Sequence, residues 1–145
     1  MSHEYIEEFN AFLTGEISAV ETYGLALKSV ASEDIRRALV DCQNSHAERV
    51  DKLITRVRDL GGTPADSAGM WGPLAAAAQT GAGNETDAIA KLEQSEAERL
   101  VQYEAQQKLV ESPVLDVLKQ ELLPAQHETH LTMSSLLKQM LPAEQ

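Results

Sequence analysis

An all-α bundle of four long helices with one long crossover is the fold this sequence predicts. Three observations carry it. Apolar residues recur at alternating steps of three and four in four separate segments, which puts them on one stripe of a 3.6-residue helix. Cap and stop residues divide those segments cleanly. Two of the connections are short, while the middle one, residues 61–83, is long and rich in Gly, Ala, Pro and Ser. At 145 residues the chain forms a single domain, residues 1–145, large enough for a good core.

Helix one is expected to start after Ser2 as cap and run to about Val30. Its seam is Ile6, Phe9, Leu13, Glu16, Val20, Tyr23, Leu27 and Val30. Ser32 caps helix two, with Glu33 and Asp34 in the first turn, where negative charge suits the helix dipole. The seam of helix two is Leu39, Gln43, His46, Val50, Leu53, Val57 and Leu60, and Gly61-Gly62 followed by Thr63-Pro64 stops it. Within the crossover, Met70–Gln79 can form a short helix, and Met70-Trp71 suits a hydrophobic lid or a dimer contact. Asn84, with Asp87 three residues on, starts helix three, which runs to about Val110. Its seam is looser: Ile89, Glu93, Glu96, Leu100, Tyr103, Gln107 and Val110. Ser112 as cap and Pro113 at the first helical position open helix four. The seam there is Leu123, His127, His130, Ser134, Leu137 and Leu141, and Pro124 predicts a kink one turn before His127.

The short turns make helices one and two, and three and four, antiparallel hairpins. A helix of about 27 residues is about 40 Å long. The crossover can span that length, and helix three is expected to begin at the end where helix one started. The halves resemble each other. A shift of 80 pairs Glu16 with Glu96, Tyr23 with Tyr103 and Val30 with Val110. A shift of 84 pairs Gln43 with His127 and His46 with His130.

Each seam is interrupted by polar residues near its middle. Counted from the caps at Ser32 and Ser112, Glu16, Gln43 and His46 in one hairpin, and Glu96, His127 and His130 in the other, agree in height within roughly 8 Å. Imidazoles and carboxylates meeting in an apolar interior are the ingredients of a metal site, because burial costs them too much otherwise. In di-metal bundles two helices each supply a Glu and the other two a Glu-x-x-His. Here Gln43-x-x-His46 and His127-x-x-His130 stand in those places. The expected metal set is therefore Glu16, His46, Glu96, His127 and His130. Gln43, Glu93, Tyr23 and Tyr103 are further candidates, as ligands or as groups orienting them. Glu93 is equally readable as a surface acid, since Leu92 competes for the inward position. Imidazole donors suit zinc, iron, copper or nickel; iron is the metal expected, with manganese or zinc as alternatives, and loss of two bridging carboxylates leaves a mononuclear site open beside a dinuclear one. Cys42, the only cysteine, excludes an intramolecular disulfide and a CxxC motif.

The formal charge of −11 excludes nucleic acid and anionic membrane as partners. No apolar run approaches membrane length and no basic-plus-apolar leader is seen, so a cytoplasmic protein is expected.

Three stretches, Leu-Thr-Gly-Glu-Ile-Ser-Ala-Val-Glu-Thr-Tyr at 13–23, Leu-Gly-Gly-Thr-Pro at 60–64 and Ser-Glu-Ala-Glu-Arg-Leu-Val-Gln-Tyr at 95–103, resemble small bacterial ferritin-like proteins. They are most similar to a ferritin-like family described as a domain of unknown function. The resemblance implies the ferritin-like form of the bundle, a metal site at Glu16, His46, Glu96 and His130, and homodimerisation. Two functions follow as expectations. One is transition-metal binding, with oxygen or peroxide chemistry if the site turns over. The other is a structural or stress-associated homodimeric bundle whose metal site is degenerate.

Overall fold

The computed structural model describes residues 2–69 and 83–141. Helix α1 is Ser2–Leu27, α2 is Glu33–Asp59 and α3 is Glu85–Gln106. Helix α4, Val114–Val117, runs through a π-helical turn at Leu118–Leu122 into α5, Leu123–Met140, and the three make one continuous fourth rod. No strand occurs among the described residues. The four-helix bundle expected from the sequence is the fold observed. Met70–Gln79, including Met70-Trp71, lies outside the described residues.

The ends of these helices follow from local chemistry. Helix α1 begins at Ser2 itself and finishes three residues before Val30. Its last turn tightens into i→i−3 bonds, Lys28 N to Leu25 O at 3.1 Å and Ser29 N to Ala26 O at 3.0 Å. The Arg36 guanidinium then caps the terminal carbonyls of Leu27 and Val30, at 2.6 and 2.8 Å. Ser32 has the extended backbone of a cap but makes no side-chain cap bond. Helix α2 ends in a Schellman motif, with Gly62 N bonding Val57 O at 3.0 Å and Gly61 N bonding Arg58 O at 2.9 Å. Gly61 makes this possible with φ 80°, a conformation that costs other residues roughly 1–2 kcal/mol. Gly61→Ala is accordingly expected to lower the unfolding free energy by about that amount, measurable by thermal melting, because an added Cβ there meets nothing within 4 Å. Asn84 caps α3 as expected, accepting from Asp87 N at 2.9 Å. Helix α3 stops at Gln106 rather than near Val110, again through tightened turns. Pro113 takes the cap position of α4 instead of the first helical one, its carbonyl accepting from Val117 N at 3.3 Å.

The topology corrects one expectation. The crossover leaves α2 beside the start of α1, where the Asn10 amide bonds Thr63 O at 3.1 Å and Ala65 N at 2.8 Å. Helix α3 begins at the opposite end, not where α1 starts. Glu85 Oε1 accepts from Ala31 N at 2.9 Å and Ser32 N at 3.1 Å, in the turn between α1 and α2. A connection that traverses the bundle must deliver the chain to the far end, so α3 runs antiparallel to α1. In such a pair, a step of seven residues forward on one helix matches a step of seven back on the other, as from Glu16 to Tyr23 against Tyr103 to Glu96. Tyr23 thereby meets Glu96, and Tyr103 meets Glu16.

Pro124 does not simply kink the fourth rod. It has no N–H to offer, and its ring crowds the carbonyl four residues back. The preceding turn widens instead, with Leu123 N bonding Leu118 O. That turn holds one extra residue, so the inward face shifts by one. Val114 and Leu118 are buried before it, and Leu122, Gln126, Thr129 and Met133 after it.

The core has two apolar compartments. One gathers Phe9, Phe12, Leu13, Leu53, Val57, Leu118 and Leu122, and the other Ala26, Val30, Leu39, Cys42, Ile89, Leu92 and Met133. Each fully buried Leu or Phe contributes about 1.5–3 kcal/mol against exposure. Between the compartments lies a belt of buried polar side chains.

Candidate functional site

Every rod contributes to that belt. Glu16 comes from α1, His46 and Arg49 from α2, Glu96 from α3, and Gln126 and Thr129 from α5. All six are no more than 3% exposed. The imidazole of His46 sits between the two carboxylates, Nδ1 at 2.5 Å from Glu16 Oε1 and Nε2 at 2.5 Å from Glu96 Oε1. Each carboxylate also accepts from a tyrosine of the opposite helix. Tyr23 donates to Glu96 Oε1 at 3.0 Å, and Tyr103 donates to Glu16 Oε2. This cross-strapping is the pseudo-twofold that the shift of 80 anticipates.

Arg49 forms the other half of the belt. Its Nη1 donates to Gln126 Oε1 at 2.6 Å and lies 3.5 Å from Glu16 Oε2. Its Nη2 donates to Thr129 Oγ1 at 2.9 Å, Ser45 Oγ at 3.0 Å and Ala125 O at 3.0 Å. Gln126 passes the connection on, donating Nε2 to Glu96 Oε2 at 3.0 Å and Glu96 O at 2.9 Å. Only Arg49 Nε is left without a partner within the belt.

The electrostatics follow from this geometry. Burial pushes the Glu16 carboxyl up, but the His46 charge and hydrogen bond, with Arg49 and Arg99, outweigh it and hold it at about 2. Glu96 is lowered in the same way: burial opposes, and its hydrogen bond and charge interaction with His46 prevail. Burial works against the His46 cation, yet the Glu16 charge and bonds from both carboxylates raise it above its ordinary value. Burial and the neighbouring carboxylates push both tyrosines well above theirs, so they remain donors. The Cys42 thiol is raised to about 11 by burial and by Glu96, which keeps it a neutral core residue. A protonated His46 and Arg49 against two carboxylates make the belt neutral. Burying four charges is tolerable only on such terms.

The expected residues are thus only partly brought together. Glu16, His46 and Glu96 meet at one level, with Tyr23 and Tyr103 bonded to the two acids. His127 does not join them, because it is exposed on α5. His130 is also displaced from the core, half-buried and 3.3 Å from Glu93 Oε1. The choice between two adjacent apolar columns explains both differences: Gln126 and Thr129 hold the inward places one residue earlier. Gln43 turns aside to donate to Val20 O at 3.0 Å. Arg49, Gln126 and Thr129 are functional positions that the sequence spacing does not single out. The available signal was the seven-residue step from Cys42 to Arg49, a column of α2 parallel to the one chosen and buried in place of Gln43 and Val50.

For a metal ion, donors must converge on one point. In this arrangement the two ring nitrogens of His46 point to carboxylates on opposite sides of the ring. No group of three or more His, Cys, Asp or Glu among the described residues is arranged to hold an ion. Arg49 places a fixed cation against Glu16. As positioned, the set does not fit a transition metal.

One protein-family model matches, over residues 4–108: the domain of unknown function DUF2383. The chain belongs to that family. The DUF2383 match takes in α1, α2 and α3, hence Glu16, His46, Arg49 and Glu96, and ends before Gln126 and Thr129 on α5. No curated protein and no solved structure matched the chain. Among the described residues, no helix is long and apolar enough to cross a membrane.

Proposed function

We propose that this chain is a non-catalytic, ferritin-like bundle in which a charge-neutral hydrogen-bonded belt takes the place of a metal centre, its role being structural association. The observation that carries this reading is the capture of His46 by both ring nitrogens, 2.5 Å from Glu16 and 2.5 Å from Glu96. Such a connected polar layer fixes helix register, since a slip by one turn would strand buried charges. Self-association as a homodimer is part of the proposal. It draws on the apolar side chains left exposed at Val101, Leu109 and Leu131, and a monomer by sedimentation would remove it.

A second reading has its own support: Glu16, His46 and Glu96 are three fully buried donors at one depth. On that reading they bind iron, or manganese or zinc, after rearrangement of the ring and of Arg49. The two are separated by metal analysis of protein purified without chelator or His-tag, together with melting in added Fe(II), Mn(II) or Zn(II). The belt reading expects background metal and an unchanged Tm. A native-state ligand at a thousand times its Kd stabilises by about 4 kcal/mol, a rise on the order of 10 °C for a domain of this size. Stoichiometric metal with such a rise would overturn the proposal.

A further inference from the structure

We infer that Arg49 is the residue that closes the core of this bundle to metal ions, its guanidinium serving as a built-in cation where a di-metal bundle holds its second ion. The inference rests on the metal-independent reading above and gives it a residue. Its basis is the sequence register of α2 against α5, anchored by the buried Leu39 and His46 and by Leu122 and Thr129. Leu39, Gln43, His46, Val50 and Leu53 correspond to Leu122, Gln126, Thr129, Met133 and Leu136 at a shift of 83. The two i, i+3 pairs in sequence register are therefore Gln43-x-x-His46, of which His46 alone reaches Glu16 and Glu96 while Gln43 bonds Val20 O, and Gln126-x-x-Thr129. Measured against the pattern of one Glu from each of two helices and Glu-x-x-His from each of the others, both bridging carboxylates are amides and one imidazole is a hydroxyl.

Charge explains why those changes belong together. Four carboxylates neutralise two divalent ions, whereas two carboxylates do not. Here two negative charges are balanced by His46 and Arg49. The guanidinium reaches the inward pair of α5 directly, bonding Gln126 Oε1 at 2.6 Å and Thr129 Oγ1 at 2.9 Å while facing Glu16 Oε2 at 3.5 Å. A guanidinium stays charged in proteins and offers donors only, so it repels a cation and uses up the acceptors that would ligate one. Gln126 and Thr129 suit the guanidinium because both present neutral oxygens to it. A Glu and a His there would add a negative charge and a competing base. The leftover Nε of Arg49 fits a side chain placed by its two terminal nitrogens, with the third nitrogen left over.

The test is to reopen the site in the full-length chain. Arg49→Met combined with Gln126→Glu and Thr129→His removes the tethered cation and restores one Glu-x-x-His pair. Arg49→Lys with the same two changes adds the same ligands but keeps a cation. Zn(II) binding is measured by titration calorimetry, and Co(II) binding by ligand-field absorption, for both variants and the unaltered protein. The Met variant is expected to bind Zn(II) about 100-fold more tightly than the Lys variant, the upper range for changes around a metal site, with a Co(II) spectrum of mixed nitrogen and oxygen ligation. Equal Zn(II) affinity of the two variants, or no binding by a folded Met variant, overturns the role of Arg49 and leaves the belt reading standing. Stoichiometric binding by the unaltered protein overturns the belt reading itself. If the Met variant is unfolded without metal, recovery of helical circular dichroism on adding Zn(II) counts as binding, and failure to recover counts against the inference.

Discussion

Replacing His46 with alanine is expected to destabilise the fold by about 3–5 kcal/mol, the cost of leaving a buried charge without its partner. The imidazole is completely buried and bonds Glu16 and Glu96 directly, one with each ring nitrogen. Without it Arg49 is the one cation still in contact with the carboxylates, touching only Glu16 and that at 3.5 Å, with Arg99 acting on Glu16 through its charge alone. Glu96 keeps Tyr23 and Gln126 as donors but loses its opposite charge. Urea unfolding followed by circular dichroism gives the loss as a drop in midpoint of about 2 M, taking a slope near 2 kcal/mol/M. Lost packing alone would also lower the midpoint, so a second variant isolates the charge. His46→Leu with Glu96→Gln keeps the belt neutral, with Glu16 opposite Arg49, and fills the space. It is expected to be more stable than His46→Ala by more than half of the loss. Strict additivity of the His46 and Glu96 changes would defeat the charge account, since coupled groups show their coupling as non-additivity.

How far this belt could be read from the sequence depends on which helix is considered. In α1 most of the seam holds: Phe9, Leu13, Glu16, Tyr23 and Val30 are buried, whereas Ile6 is half-buried and Ala19 and Ala26 take the inward places of Val20 and Leu27. The helix ends were legible wherever one residue type has one backbone use, as at Gly61 with its positive φ and Asn84 with its bond to Asp87 N. The difficulty lies in the width of an apolar stripe. A core-facing helix buries roughly 100° of its surface, which takes in two neighbouring columns. In α2 the columns through Gln43 and Val50 and through Cys42 and Arg49 share Leu39, His46, Leu53 and Val57. Only packing decides between them. An arginine on the inner column reads as a surface residue until the two acids and α5 are seen around it.

The fourth rod is harder. Leu122 and Leu123, Leu136 and Leu137, and Met140 and Leu141 offer either column with equal apolar weight. Two histidines at helical spacing favour the wrong one. The widened turn at Leu118–Leu122, marked by Pro124, lies before this stretch and leaves the choice between the two columns to packing. The consequence is chemical as well as geometric. A one-residue change of register exchanges His127 and His130 for Gln126 and Thr129, and with them a metal-ligand set for a hydrogen-bonding one. Glu93 follows the same logic: with Leu92 inward, the acid is left to pair with the half-exposed His130.

The belt also makes stability depend on pH in two opposite directions, and the expected profile is a maximum between about pH 4.5 and 6.5. Glu16 is depressed from its ordinary 4.5 to about 2, chiefly by His46 once the opposing effect of burial is overcome. A depressed carboxyl stabilises the native state above its unfolded value, and that contribution is lost as pH falls through the folded one. Its size is on the order of 3 kcal/mol at about 1.4 kcal/mol per unit. Glu96, also depressed, acts in the same sense. His46 behaves oppositely, since its pKa is raised above 6.5 against the effect of burial. Its contribution is complete below 6.5 and disappears as pH rises through the folded value. The net charge of −11 also favours mildly acidic conditions by reducing self-repulsion, so the profile of the unaltered protein alone does not isolate the belt. The difference in unfolding free energy between the unaltered protein and His46→Gln does, because surface charge is common to both. That difference should be greatest near pH 5–6 and shrink toward both pH 2 and pH 9. A flat difference across the range would mean that His46 is buried neutral, with Glu16 or Glu96 holding the proton in its place.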